Sequence, residues 1–188
     1  IEMQLAESPV KSVSVECFGN IEDSKPIALS FLIGLFHDMT DNRINFVNAG
    51  VIAEERGISF SHSLNTEPVS FANLIVAHIT TDEGTIEVAG SVFGDQHPRI
   101  VDIMGYEVDV RPEGNMLFVQ NKDVPGVIGK VGMLLGEGGV NIAEYLLSRT
   151  PNNDSAYSVI KFDGEINEEL LESLKKVDEI LTVKQLHV

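Results

Sequence analysis

Residues 121–147, NKDVPGVIGKVGMLLGEGGVNIAEYLL, read as the end of a strand, a proline-started helix, a glycine-marked stop and an asparagine that opens another strand. Pro125 marks the first helical position, where its missing N–H removes a donor that has no intrahelical partner anyway. Val127, Ile128, Val131, Leu134 and Leu135 recur at three- and four-residue spacing and predict the buried face of a helix over 125–136. The loop before this helix carries Asn121 and Asp123, and the loop after it ends at Asn141. That spacing suggests that both loops sit at the same edge of one small domain.

Outward from the helix the pattern completes a unit. Residues 116–120 predict a strand, and 141–149 and 155–163 predict two more, joined as a hairpin by the polar loop 150–154. Asn167 caps a second helix that turns Leu170, Leu171, Leu174 and Val177 inward, and 181–188 form the last strand. The order is βαββαβ, a ferredoxin-like arrangement with both helices on one face of an antiparallel sheet.

Upstream, Arg111-Pro112-Glu113-Gly114 predicts a tight hinge. Before it lies a unit with more strand than helix. Val13, Val15 and Cys17 alternate with polar neighbours as in a half-buried strand, and Ala28, Phe31, Leu32, Leu35, Phe36 and Met39 make a helical stripe after Pro26. A short strand is expected over 44–47, then a helix over 49–56 capped by Asn48 and stopped by Gly57. Strands follow over 58–64, 73–80, 85–93, 99–103 and 106–110. The fold class is therefore α+β, with a mixed unit over 9–111 and a ferredoxin-like unit over 115–188. The first residue is Ile1, not Met, and IEMQLAESP has no start signal of its own, so 1–8 read as the end of a linker in a larger protein.

Bulk properties exclude several functions. The 188 residues are 43% hydrophobic and 22% charged, enough to bury a core. With 13 basic against 29 acidic residues the formal charge is −16, a field that repels phosphate backbones, so nucleic acid is not an expected partner. The longest apolar run, 27–36, is too short to span a bilayer. Cys17 is the only cysteine, which rules out an intrachain disulfide and suits the cytoplasm. The five histidines lie in unrelated segments with no metal-ligand spacing, no strand runs into G-x-G-x-x-G, and no G-x-S-x-G occurs. The chain is thus expected to be non-catalytic, with no metal and no cofactor of its own.

The first turn of the 125–136 helix offers N–H groups that suit a carboxylate, and Gly126 lets a ligand approach the backbone. Asp123 could accept from an ammonium group, while Asn121 and Asn141 can each donate and accept. Together they match an amino-acid zwitterion. Each also has a structural explanation: Asp123 as a helix cap, and Asn141 as a residue that tolerates turn geometry.

The quoted stretch resembles an ACT domain, the small amino-acid-sensing module, and specifically the one that ends D-3-phosphoglycerate dehydrogenase of L-serine biosynthesis. Upstream, FVNAGVIAEERGI, NLIVAHITTDEGTIEVAGSVFG and PRIVDIMGYEVDVRPEGNMLFVQNKD resemble the allosteric substrate-binding (ASB) domain of the long forms of that enzyme. The resemblance implies a regulatory fragment of an NAD-dependent enzyme that oxidises 3-phosphoglycerate to 3-phosphohydroxypyruvate, with NAD bound in a part not included here. It implies L-serine held where two ACT domains meet, by Asn121, Asp123 and the loop residues Val124, Pro125, Gly126 and Val127 of one copy and by Asn141 and Ile142 of another. Asn121 departs from the family pattern, which has an aromatic ring such as Tyr or His there. For the ASB unit the resemblance implies an anionic effector, phosphate or a phosphorylated substrate, with Arg56, Arg43, Lys25 and Arg99 as basic candidates and Asn48 as a polar partner. It also implies a homo-oligomer formed through both units. Two other readings are the regulatory part of a bacterial L-serine dehydratase and a ligand-free dimerisation module.

Overall fold

The computed structural model describes residues 8–37, 43–67, 69–94, 96–150 and 154–188. The linker expected over 1–8 (all but Ser8), Met39 of the helical stripe and residues 151–153 of the hairpin loop lie outside the described residues. The chain divides into two units, Glu2–Met104 and Gly105–Val188.

In the first unit, alternation in β1 (Ser12–Gly19) sends Val13, Val15 and Cys17 to a buried face. Helix α1 (Ser24–Phe36) begins where the Asp23 carboxylate accepts from the Lys25 N–H at 2.9 Å, and it buries Ala28, Leu32, Leu35 and Phe36. Helix α2 (Ala49–Glu55) adds Ala49 and Ala53 to the same core and ends before Gly57. Strands β2 (Ser59–Asn65), β3 (Asn73–Thr80), β4 (Thr85–Phe93) and β5 (His97–Ile103) join β1 in the order β2-β1-β3-β4-β5. Only the β1–β2 pairing is parallel among these.

The expected strand over 44–47 is instead a turn. The Asn45 side chain accepts from the Val47 N–H at 2.8 Å and the Asn48 N–H at 3.2 Å, offering the backbone a local alternative to an extended pairing. Asn48 does not cap α2 with its side chain. Its carbonyl accepts from the Asn45 N–H at 2.8 Å and its amide donates to the Arg43 carbonyl at 3.0 Å.

In the second unit, strands β6 (Tyr106–Val110), β7 (Asn115–Lys122), β8 (Asn141–Arg149), β9 (Ser155–Asp163) and β10 (Ile180–His187) accompany helices α3 (Val127–Glu137) and α4 (Glu168–Lys175). From β7 on, the order is βαββαβ. The four strands lie antiparallel as β10-β7-β9-β8, a ferredoxin-like sheet with β8 at one edge. Val127, Val131 and Leu135 of α3 and Leu170 and Leu174 of α4 meet Leu117, Val119, Ile160 and Val183, so both helices cover one face. Fully burying a side chain such as Leu135 or Leu174 contributes roughly 1.5–3 kcal/mol. Asn167 caps α4 as expected, accepting from the Leu170 N–H at 2.8 Å.

The division falls at the Met104-Gly105 turn, where φ is +52° and +82° in succession. Residues 111–114 are bonded into the second unit: Gly114 and Val188 exchange N–H···O bonds of 2.8 and 3.2 Å, and the Lys161 ammonium stands 3.5 Å from the Glu113 carboxylate. Tyr106 on β6 belongs there too. Its ring stacks on Tyr157 with centroids 5.3 Å apart, and its hydroxyl meets the Ser155 hydroxyl at 2.6 Å. Burial pushes the Tyr157 phenol far above its ordinary value, with the neighbouring Tyr106 adding to the shift.

Cys17 gives a built-in report on the first unit. Its side chain is fully buried in β1, and burial pushes the thiol up, away from the reactive thiolate. Iodoacetamide should therefore modify the folded chain at least roughly a hundredfold more slowly than the urea-unfolded chain, because reaction must wait for opening. Comparable rates in the two states would mean that this face of β1 is not sealed.

Candidate functional site

The buried stripe of α3 begins at Val127, and the residue before it sets the geometry of the site. Gly126 is the N-cap, at φ +94°, and accepts the first helical bond from the Lys130 N–H at 3.0 Å. Pro125 therefore precedes the helix and does not open it, a correction to the reading of the sequence. Only glycine adopts that φ without strain, and the first N–H groups of α3 have no intrahelical acceptors. Ile128, expected on the core face, is 49% exposed.

A cleft of about 440 Å³ lies at this helix start, lined by Asn121, Asp123, Val124, Pro125, Gly126, Val127, Ile128, Leu147 and Arg149. Asn121, at the end of β7, is only 4% exposed and donates to the Lys122 carbonyl at 2.7 Å. Asp123 does not cap α3, which has no side-chain cap bond. Its backbone N–H is fixed by the Asp154 carbonyl at 2.8 Å, and its carboxylate stands 3.2 Å from Arg149 Nε. The expected loop residues 121 and 123–127 are thus together on one cleft.

Asn141 and Ile142 of the same chain do not line it. On β9, Asn121 is opposite Ala156 whereas Asn141 is opposite Asp163, seven residues along, so the two asparagines of one chain lie about 23 Å apart along the sheet. The two loops occupy opposite ends of the sheet, not the same edge of it. Asn141 donates to the Asp163 carboxylate at 2.8 Å, and Ile142 packs against the core.

Leu147 and Arg149 were missed by the sequence reading. The signal was available in the hairpin: pairing 141–149 with 155–163 sets Arg149 opposite Ala156, which on its other side is opposite Asn121. The three residues form one row on the helix-covered face, with a small side chain in the middle.

Of the candidates in the first unit, Asn48 and Arg43 meet through the Asn48 amide and the Arg43 backbone carbonyl, while Arg56, Lys25 and Arg99 are spread over different elements. Arg56 lies at the end of α2 with its guanidinium 5.6 Å from the centre of the Phe36 ring, while Lys25 is near the other end of α1, about 16 Å from Phe36 by helical rise. Arg99 sits on β5, three strands from β1, whereas α1 and α2 pack over β1 and β2. The Asn48 amide is occupied by Asn45 and Arg43. A groove of about 460 Å³ beside α2 is lined by Gly50, Glu54, Gly57, Ile58, Ser59 and Phe60, none of them basic. Among the described residues no group of three or more His, Cys, Asp or Glu side chains could hold a metal, and no helix is long and apolar enough to cross a membrane.

Comparison with known proteins bears on both units. The family profile described as the D-3-phosphoglycerate dehydrogenase intervening domain matches residues 1–104, ending where the chain divides. The D-3-phosphoglycerate dehydrogenase of Bacillus subtilis (strain 168) is 32% identical over 183 residues, 96% of this chain and 35% of that protein. The enzyme of the same name from Methanocaldococcus jannaschii is 30% identical over 185 residues, 97% of this chain and 35% of that one. The chain thus spans about a third of the length of the curated relatives it matches. Among solved structures, the ACT domain from the GTP pyrophosphokinase of Chlorobium tepidum aligns with 39% of this chain and 97% of its own length at 16% identity, with a TM-score of 0.33.

Proposed function

Because the chain belongs to the D-3-phosphoglycerate dehydrogenase intervening-domain family and corresponds to a regulatory region of such enzymes, we propose that its second unit binds L-serine for feedback control. In this reading the remainder of the enzyme oxidises 3-phosphoglycerate with NAD in the cytoplasm.

The observation that carries the reading is the convergence, on one cleft, of the Asp123 carboxylate, the buried Asn121 amide and the start of α3. Asp123 takes the ammonium group, the N–H groups of the helix start take the carboxylate, and the asparagine amide addresses the side-chain hydroxyl. Asn121 leaves the cleft without an aromatic lid at that place. Asn141 contributes only from a second copy, since within one chain it is too distant, so the working species is a homo-oligomer. Control then consists of serine binding one arrangement of the oligomer better than another, a coupling typically of about 1–3 kcal/mol. No comparable convergence supports the anionic effector of the first unit, and that part rests on family resemblance.

Calorimetric titration of the 188-residue chain tests the reading. L-serine should give a saturable heat, and Asp123→Ala should weaken it by roughly ten- to a hundredfold, the cost of losing a hydrogen bond to a charged partner. No heat at millimolar serine would instead favour an assembly role for the ferredoxin-like unit, whose edge strand β8 is available for pairing with a second copy.

A further inference from the structure

We propose that Arg149 makes the cleft selective for a ligand carrying an α-carboxylate, by exchanging its bond to Asp123 for one to that carboxylate. The inference rests on the amino-acid reading of the cleft and adds a residue and a requirement to it. Arg149 and Asp123 both line the cleft, and in the ligand-free chain they face each other at 3.2 Å. They present the two charges that a zwitterion carries, in the opposite sense. A free amino acid entering between them can satisfy both at once, its ammonium on Asp123 and its carboxylate shared between the N–H groups of the helix start and the guanidinium, which adds a full charge to those neutral donors.

The opening step is easy for two reasons. The side chains are 63% and 30% exposed, so their mutual attraction is screened and contributes little to folding. Arg149 is also the last residue of β8, with a long side chain on an anchored backbone, so the guanidinium can swing while its Cα stays opposite Ala156. A simple amine gains much less. It takes Asp123 from Arg149 but leaves the guanidinium without an anion, whereas an amino acid replaces the contact that it breaks. The existing ion pair thus acts as a filter against amines that lack a carboxylate.

The test compares L-serine with L-serinamide, which keeps the ammonium and hydroxyl groups but has a neutral amide in place of the carboxylate. In the unmodified chain serine should bind at least about tenfold more tightly than serinamide. Arg149→Gln should cut that preference at least about threefold, what is left coming from the N–H groups of the helix start, and Arg149→Lys, which keeps the charge, should restore part of it. A preference unchanged in Arg149→Gln would overturn the role of Arg149 while leaving the amino-acid site intact. If the unmodified chain binds neither compound, the amino-acid reading and this inference fall together. Because Arg149 is exposed, the variants should melt with the unmodified chain, and the serine-to-serinamide ratio is a readout that a purely structural role would not move.

Discussion

Replacing Gly19 with alanine should destabilise the first unit by roughly 2–5 kcal/mol. Two costs add. Gly19 lies at φ +80°, where an L side chain is strained by about 1–2 kcal/mol. A Cβ there would also overlap the Ala72 carbonyl oxygen and stand 3.0 Å from its carbon and 3.3 Å from the Asn73 Cα. All three neighbours are backbone atoms, and none can rotate away. Ala72 is held in place because its carbonyl accepts from the Asn20 N–H at 2.9 Å, and Asn73 is held because it pairs with Gly19 where β3 runs beside β1. Relief would therefore require displacing one of the central strands of the sheet.

Gly57 supplies the control. It has φ +71°, but an added Cβ meets nothing within 4 Å, so Gly57→Ala should cost only the conformational term of about 1–2 kcal/mol. Urea titration with Cys17 alkylation as the probe confines the measurement to the first unit, because Cys17 lies two residues before Gly19 in the same strand. Equal midpoints for the two variants would mean that the Gly19–Ala72 approach is not constrained as described.

What could be read from the chain depended on how far apart the interacting residues were. Strands over 73–80, 85–93, 106–110, 141–149 and 155–163 have the bounds expected of them, because period-2 alternation and the turns between strands are local properties. The cap by Asn167 was local too. The 44–47 segment misled because two asparagines outcompete the extended form through hydrogen bonds that hydropathy does not register. The start of α3 was displaced because the left-handed Gly126 opens the helix after Pro125. Ile128 belongs to the same error, since a helix starting at Val127 leaves it at the margin of the buried stripe.

The candidate site divides in the same way. Asn121, Asp123 and the loop to Val127 are contiguous, and the cleft holds them together. Arg149 joins them only through the register of two strand pairs, and Asn141 leaves them for the same reason. A residue at the far end of an α-helix can look adjacent when spacing alone is considered. The antiparallel sheet resolves the matter, because β8 runs back from the C-terminal end of α3 to the helix start and brings Arg149, not Asn141, to the cleft of the same chain.

That geometry makes the two-copy requirement testable as an all-or-none effect. Asp123→Ala and Asn141→Ala should each lower serine binding severely when prepared alone, since every site then lacks one of its two charged or amide partners. Mixed in equal amounts under conditions that exchange subunits, they should regain binding at about a quarter of the unmodified stoichiometry. Half of the dimers would be hybrids, and a hybrid with two-fold related sites has one intact site and one doubly defective one. The 23 Å separation within a chain is what forces this outcome, because no side-chain rotation brings the Asn141 of a copy to its own Asp123. If Asn141→Ala alone binds serine as the unmodified chain does, the cleft is complete within one copy, with Asp123 and Arg149 as its two charges, and the second subunit serves only to transmit the signal. If both single variants fail and the mixture regains nothing although subunits exchange, the two residues do not act on one ligand, and Asn141 must act through its bond to Asp163 at the far end of the sheet.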